Sequence, residues 1–402
     1  MRAMFGKLGW AARRGAWHGA ALVLLCLGWL GVTAAQAAET LVAGPEGTPL
    51  SLSAALSQAR DGDTIELLPG EYREAHAVLV NRRLTIRGIG KRPVLNGGGK
   101  PSGLHKALWL VRGGEVTLEN LEFRGARASD GEGAAVRLEG GRLQVRRCEF
   151  YDNEYGIHAT NDDQAQVDIQ DSVLGMAPKV EGALYHLLNV GRIARLSVSG
   201  SRFQQGFEGH MIKSRARESV IGYNFIHDGR RGGASYEIEL PAGGLATVIG
   251  NVIGQGTDSQ NRVVLAYGTD GRPWDRNALL VAHNTFISYK WTPAWFLRVF
   301  SDSLPQDTEV VAVNNLVVGP GVFWLDASGH FDGNRPATLG MLRDADTYAF
   351  ELAPDSIWRG SGIDPRQVGK RDLSPKAEFE WPVGTRALSA GRTRWSPGAY
   401  QK

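Results

Sequence analysis

The chain has 402 residues, with 45 Lys and Arg against 42 Asp and Glu and a formal net charge of +3. This near-balance excludes a partner chosen by bulk charge, such as nucleic acid or an anionic membrane surface, and leaves only local patches to act that way. Hydrophobic residues make up 43% of the chain, enough for a core, and two cysteines are too few for a disulfide framework.

Residues 1–37 read as an export signal. Arg2, Lys7, Arg13 and Arg14 precede an apolar stretch from Ala20 to Val32, and Ala35-Gln36-Ala37 supplies small residues for cleavage. Thirteen apolar residues are short for a bilayer span, so no membrane segment is expected after cleavage. Removing these four basic residues leaves 41 basic against 42 acidic, a net charge of about −1. The expected location is periplasmic or secreted. Cys148 is then the lone cysteine, and its place in the repeat suggests a packed small hydrophobe.

After the signal, the apolar spacing of Leu52-Ser53-Ala54-Ala55-Leu56-Ser57-Gln58-Ala59 predicts a short amphipathic helix that caps the open end of the core. A Gly-Asp-Thr-Ile-x-Leu-x-Pro-Gly-x-Tyr run follows from Gly62 to Tyr72. Short strands then recur. Anchored on Leu121, Cys148, Ser172, Ser201, Asn224, Asn251, Asn284 and Asn314, the spacings are 27, 24, 29, 23, 27, 33 and 30 residues. Irregular coils of this length, rich in Gly and in alternating Val, Ile and Leu, predict an all-β parallel β-helix solenoid. Asn224, Asn251, Asn284 and Asn314 read as an inward amide ladder. One domain is expected, with the β-helix over 38–330 and an extended C-terminal segment over 331–402 packed back along the last coils.

Candidate chemistry lies where titratable residues fall on neighbouring coils. Tyr185-His186-Leu187-Leu188-Asn189 is followed by Gly209-His210-Met211-Ile212-Lys213-Ser214-Arg215, then Tyr236-Glu237-Ile238-Glu239, then Leu265-Ala266-Tyr267. His186 and His210 precede Asn189 and Lys213 by the same three residues. This predicts two imidazoles in one column and an amide, an ammonium and a carboxylate in another. The alternative is a solvated face with a weak Lys213–Glu239 ion pair.

The Gly62–Tyr72 run, the Asp152-Asn153-Glu154-x-Gly156-Ile157 turn, the Asn ladder and the Gly398-Ala399-Tyr400 ending resemble the right-handed parallel β-helix proteins of the pectin-lyase-like superfamily. That resemblance implies a carbohydrate-active protein working in a groove along one sheet, usually on an acidic polysaccharide. Ile212-Lys213-Ser214 is similar to the Val-Lys-Ser motif of the alginate lyase and chondroitinase-B-like family, where the matching Lys is the proposed base. That family's Arg-His-Gly motif has no counterpart, since the aligned stretch is Leu240-Pro241-Ala242, which puts its calcium-dependent chemistry in doubt. Glu237 and Glu239 remain as oxygen ligands for calcium.

A lyase needs a cation beside the uronate carboxylate, a base for the C5 proton and an acid for the leaving oxygen. Lys213 or His210 fits the base, Arg215 or Asn189 the carboxylate clamp, and His186 or Tyr236 the acid. Glu237, Glu239, Tyr267, Trp295 and Arg298 are expected to bind substrate. A hydrolase using Glu237 and Glu239, at i and i+2 on one strand face, is the alternative. A glycan-binding envelope protein without chemistry is another. Trp274, Trp291 and Trp295, in lateral insertions, suit sugar stacking or loop anchoring. A monomer acting on an acidic polysaccharide is the expected unit.

Overall fold

The computed structural model describes residues 37–101, 106–325, 328–368 and 371–401, so the expected export signal over 1–37 lies, but for its last residue, outside the described residues. Residues 38–402 make one compact unit. Among the described residues, two parallel strand ladders share a twenty-stranded sheet and a third ladder forms an eleven-stranded one. Each coil contributes a strand to each ladder, and its partners are the coils before and after it. Parallel pairing between coils about 4.8 Å apart follows from short strands recurring every two to three dozen residues.

Alternation explains which residues turn inward. In the strand Asp162–Gln170, Val167 and Ile169 are buried while Gln166, Asp168 and Gln170 face outward. The registers stack Val145, Ile169, Val198, Ile221, Val248 and Val281 into one inner row. In the third ladder Phe123, Phe150, Leu174, Phe203, Ile226, Ile253 and Phe286 form another. The Phe123 and Phe150 rings stack with centroids 5.2 Å apart. Burying each such side chain contributes roughly 1.5–3 kcal/mol.

The first coil is closed as expected. The helix Leu52–Gln58 buries Leu52 and Ala55, and the Ser51 side chain accepts a hydrogen bond from the Ala54 N–H at its start. The Gly62–Tyr72 run folds into the strands Thr64–Leu67 and Glu71–Arg73. Gly62 sits at φ +95°, a left-handed turn that glycine adopts without strain. Tyr72 then ties the run down by donating its hydroxyl to the Leu68 and Ala43 carbonyls.

The polar ladder is continuous, and one of its members differs from expectation. Cys148 N–H donates to Ser172 Oγ, Ser172 N–H to Ser201 Oγ, and Ser201 N–H to Asn224 Oδ1. From Asn224 each amide bonds the next through Asn251 and Asn284. The next rung is Asn315, not Asn314, and Asn334 extends the row. Asn314 has φ +53° and bonds His283 and Ile363 instead. The cysteine at the head of the row is buried, and burial pushes its thiol pKa up to about 12.

Strands at His330–Asp332 and Arg335–Ala337 continue the coil to Ala337, beyond the expected end at 330. The remaining segment covers the third ladder, whose outward positions are apolar there. Phe225, Val252, Ile287 and Leu316 pack against Phe350, Leu352, Phe379 and Tyr400. Gly398 N–H bonds the Asn314 carbonyl, and Ala399 N–H bonds Thr285 Oγ1. The ladder that carries the candidate residues is a different one.

Candidate active site

The candidate residues lie on successive strands of one ladder: Ala134–Leu138, Tyr155–Ala159, Leu188–Val190, Ile212–Ser214, Ile238–Leu240, Val263–Tyr267 and Ala294–Val299. Their registers align Arg137, His158, Asn189, Lys213, Glu239, Ala266 and Arg298 in one outward column. The preceding residues, Val136, Ile157, Leu188, Ile212, Ile238, Leu265 and Leu297, are all wholly buried. An apolar, polar, apolar triplet on a short strand is what turns the middle side chain out.

A second column runs three residues upstream. Tyr155, His186, His210 and Tyr236 follow ring against ring, with centroids 5.5 Å, 4.5 Å and 4.9 Å apart in turn, the first two contacts tilted and the last edge-on. His186 Nδ1 accepts a hydrogen bond from the His210 backbone N–H at 3.0 Å, which leaves the ring proton on Nε2 in the neutral form. Burial first, then the neighbouring His210 and Lys213, holds the His186 pKa well below the ordinary value.

Glu239 is the hub. His210 Nδ1 stands 3.0 Å and Lys213 Nζ 3.1 Å from Glu239 Oε2, while Thr269 Oγ1 donates to Oε1 at 2.7 Å. Neither contact to Oε2 is in line for a full hydrogen bond, a geometry common where a site tightens on its substrate. Burial alone would raise the Glu239 pKa; His210, Lys213 and Thr269 overcome it and bring it down to about 2. For His210 the balance is reversed, since burial lowers its pKa more than the Glu239 carboxylate raises it. A carboxylate therefore faces a neutral imidazole and an ammonium. Asn189, beside Lys213, has an enclosed amide oxygen that meets no donor.

Several expectations need correction. Tyr267 was expected to bind substrate, but register pairs it with Leu240, an inward position. It is wholly buried, with its hydroxyl on the Gly244 carbonyl at 2.5 Å. Glu237 does not share the face of Glu239 as a partner carboxylate. It precedes its strand, is wholly buried, and is influenced by Asp228, Lys290 and Gln255, whereas His210, Lys213 and Thr269 surround Glu239. Burial and then Asp228 raise the Glu237 pKa well above the ordinary carboxyl range. Ser214 is also buried, against Ser219 Oγ.

Other predicted residues lie nearer the margin. Arg215 is held bidentately by Asp270, at 2.5 Å and 3.2 Å. Trp274 anchors its loop: its Nε1–H donates to the Arg215 carbonyl, and the Arg192 guanidinium lies 3.8 Å from its ring. Arg298 continues the column two coils beyond Glu239 and lies 4.6 Å from the Trp295 ring, with the covered Ala266 between. Trp291 is 95% exposed.

Arg137 and His158 escaped the sequence reading. Arg137 Nη1 is 3.3 Å from His158 Nδ1, and burial followed by Arg137 lowers the His158 pKa to about 4. The signal was present. Ile157-His158-Ala159 repeats the triplet Leu188-Asn189-Val190, and Tyr155 precedes His158 by the same three residues. Calcium would need converging oxygen ligands. Glu237 and Glu239 do not converge, and among the described residues no group of three His, Cys, Asp or Glu side chains is set to hold a metal.

No family model matches the chain. In structure it is similar to pectate lyase Pel9A, with a TM-score of 0.61 and 15% identity over 90% of this chain and 96% of that one. It is also similar to the PL6 family alginate lyase AlyGC, TM-score 0.44 and 15% identity over 75% of this chain and 40% of that one. For the alginate lyase from Paenibacillus sp. str. FPU-7 the TM-score is 0.42 and the identity 15%, over 74% of this chain and 99% of that one. The likeness to Pel9A concerns the fold alone: the chain is a parallel β-helix.

Proposed function

We propose that the protein is a polysaccharide lyase that cleaves an acidic, uronate-containing glycan by β-elimination, with His210 as the base. The observation that carries this reading is the disposition of His210 and Lys213 on a single carboxylate, Glu239. With Nδ1 beside Glu239, the other ring nitrogen, Nε2, is left to accept a proton, and burial favours the neutral ring that a base requires. Lys213, as an ammonium paired with Glu239, has no lone pair to offer. It suits the other role, neutralising the substrate carboxylate and so acidifying the C5 proton.

The steps follow from these roles. The C5 proton passes to His210 Nε2, its electron pair forms the C4–C5 double bond, and the C4–O bond breaks. Tyr236, whose ring lies 4.9 Å from that of His210, donates its phenolic proton to the departing oxygen. Asn189 and, farther along the column, His158, Arg137 and Arg298 make a polar, cationic strip suited to a polyanionic chain. Occurrence of this fold in a pectate lyase accords with such a substrate. Export to the periplasm or beyond rests on the basic and apolar pattern of residues 1–37.

Carboxylate replacements test the reading against the hydrolase. Glu239→Gln removes the charge that orients His210 and Lys213 and is expected to lower kcat by about 10²-fold or more, within the range of a positioned base. Glu237→Gln, in a side chain no glycan touches, leaves kcat within about threefold. A hydrolase that used Glu237 as its acid would lose activity in both variants.

A further inference from the structure

The longest coil, 33 residues between Asn251 and Asn284, carries an insertion that reaches the site. Gly268 to Asn277 leave the end of the strand Val263–Tyr267 and return at Ala278. Thr269 Oγ1 donates to Glu239 Oε1 at 2.7 Å, and the next residue, Asp270, clamps Arg215. The insertion is itself tied down over earlier coils. Trp274 Nε1–H bonds the Arg215 carbonyl, Arg192 Nη1–H bonds the Arg272 carbonyl, and Asn277 Oδ1 accepts from the Gly244 N–H. Arg192 and Arg217 lie 3.8 Å and 5.0 Å from the Trp274 ring.

We propose that this insertion is part of the active centre, and that Thr269 is a positioning residue which fixes the Glu239 carboxylate for His210 and Lys213. A carboxylate on a two-carbon stem rotates unless one oxygen is held. Thr269 holds Oε1, so Oε2 is presented to the imidazole and the ammonium together. Without that donor Glu239 is free to turn to Lys213 alone, and His210 loses the anion that stabilises its protonated form. Besides Glu239, the charged side chains bearing on His210 are Lys213 and Arg215, both of which oppose its protonation. Asp270 pairs directly with one of these, so Thr269 and Asp270, at the start of the insertion, both bear on the charges around His210.

The proposal rests on the reading of His210 as base, and its test separates the two. Thr269→Val keeps the shape and removes the hydroxyl; Thr269→Ser keeps the donor. The His210 imidazole is titrated by NMR in the full mature protein, without substrate, and the pH profile of kcat/KM is measured where a substrate has been found. In Thr269→Val the His210 titration is expected to move to lower pH, kcat to fall about tenfold and KM to stay within about twofold. Thr269→Ser is expected to restore both. An unchanged His210 titration in a folded Thr269→Val protein overturns the positioning role, whatever the activity. A shifted titration with no elimination of any uronate polymer keeps the positioning role and overturns the function instead.

Discussion

At the residue scale the account turns on which side chain takes the proton. His210, whose pKa burial lowers from the ordinary 6.5, is neutral through the neutral range. If it is the base, kcat/KM falls on the acid side through an inflection below pH 6.5, because protonation removes the acceptor. A lysine base would instead put the rising limb in the alkaline range. His210→Ala is expected to lower kcat by about 10²–10⁴-fold. Lys213→Ala is expected to abolish elimination too, while an unfolding titration stays within about 1 kcal/mol, since Lys213 reaches outward from its strand. A substantial loss of folding would instead assign Lys213 to structure. Much of this site was legible. The three-residue offset between His and Asn or Lys recurred, and each recurrence marked an outward position. What was hidden was depth: Glu237 and Tyr267 look like site residues in sequence, yet one lies before its strand and the other on an inward phase.

At the element scale, the polar ladder shows how spacing alone misplaces a residue. Asn314 and Asn315 adjoin just before Leu316-Val317-Val318, and a coil of irregular length leaves the choice open. The decision comes from pairing, which sets Phe286 beside Val317 and therefore Asn284 beside Asn315. The amides matter because each satisfies buried groups on two coils. Asn251 Oδ1 accepts from the Asn224 backbone and side chain, and its Nδ2 donates to the Ile221 carbonyl and to Asn284. Asn251→Ala strands these groups, at about 1–3 kcal/mol each, so chemical unfolding is expected to show a loss of about 3 kcal/mol or more. Asn189→Ala, on the outer column, is expected to stay within about 1 kcal/mol and to raise KM. A loss below about 1 kcal/mol for Asn251→Ala would mean that the ladder adds little beyond its backbone pairing.

At the scale of the whole molecule, the solenoid fold was legible from recurrence, because a solenoid writes its period into the chain. The C-terminal segment was less so, since its contacts, such as Lys376 N–H with the Tyr223 hydroxyl, join residues far apart in sequence. The assembled protein also carries buried imidazoles whose pKa values burial lowers: His158 to about 4, His227 and His283 to about 3, with His186 and His210 lowered as well. As pH falls below 6.5 the unfolded chain takes up protons that these folded sites resist, so stability falls. Asp228, raised by burial to about 6, and Glu237 act in the opposite sense, losing stability as pH rises through the range above their ordinary values. Five imidazoles and Glu239 outweigh those two carboxyls. The melting temperature is therefore expected to drop between pH 6.5 and 4; a flat or rising profile would contradict the burial assigned to these rings.

Elimination leaves a distinctive product, an unsaturated uronate at each new non-reducing end. The mature protein, incubated with a panel of uronate polymers, is followed by ultraviolet absorbance of the unsaturated uronate and by new reducing ends in the same samples. Absorbance and new ends are expected to rise together on at least one polymer. New reducing ends without absorbance would contradict elimination and mark hydrolysis, and retention of a glycan with neither signal would mark binding alone.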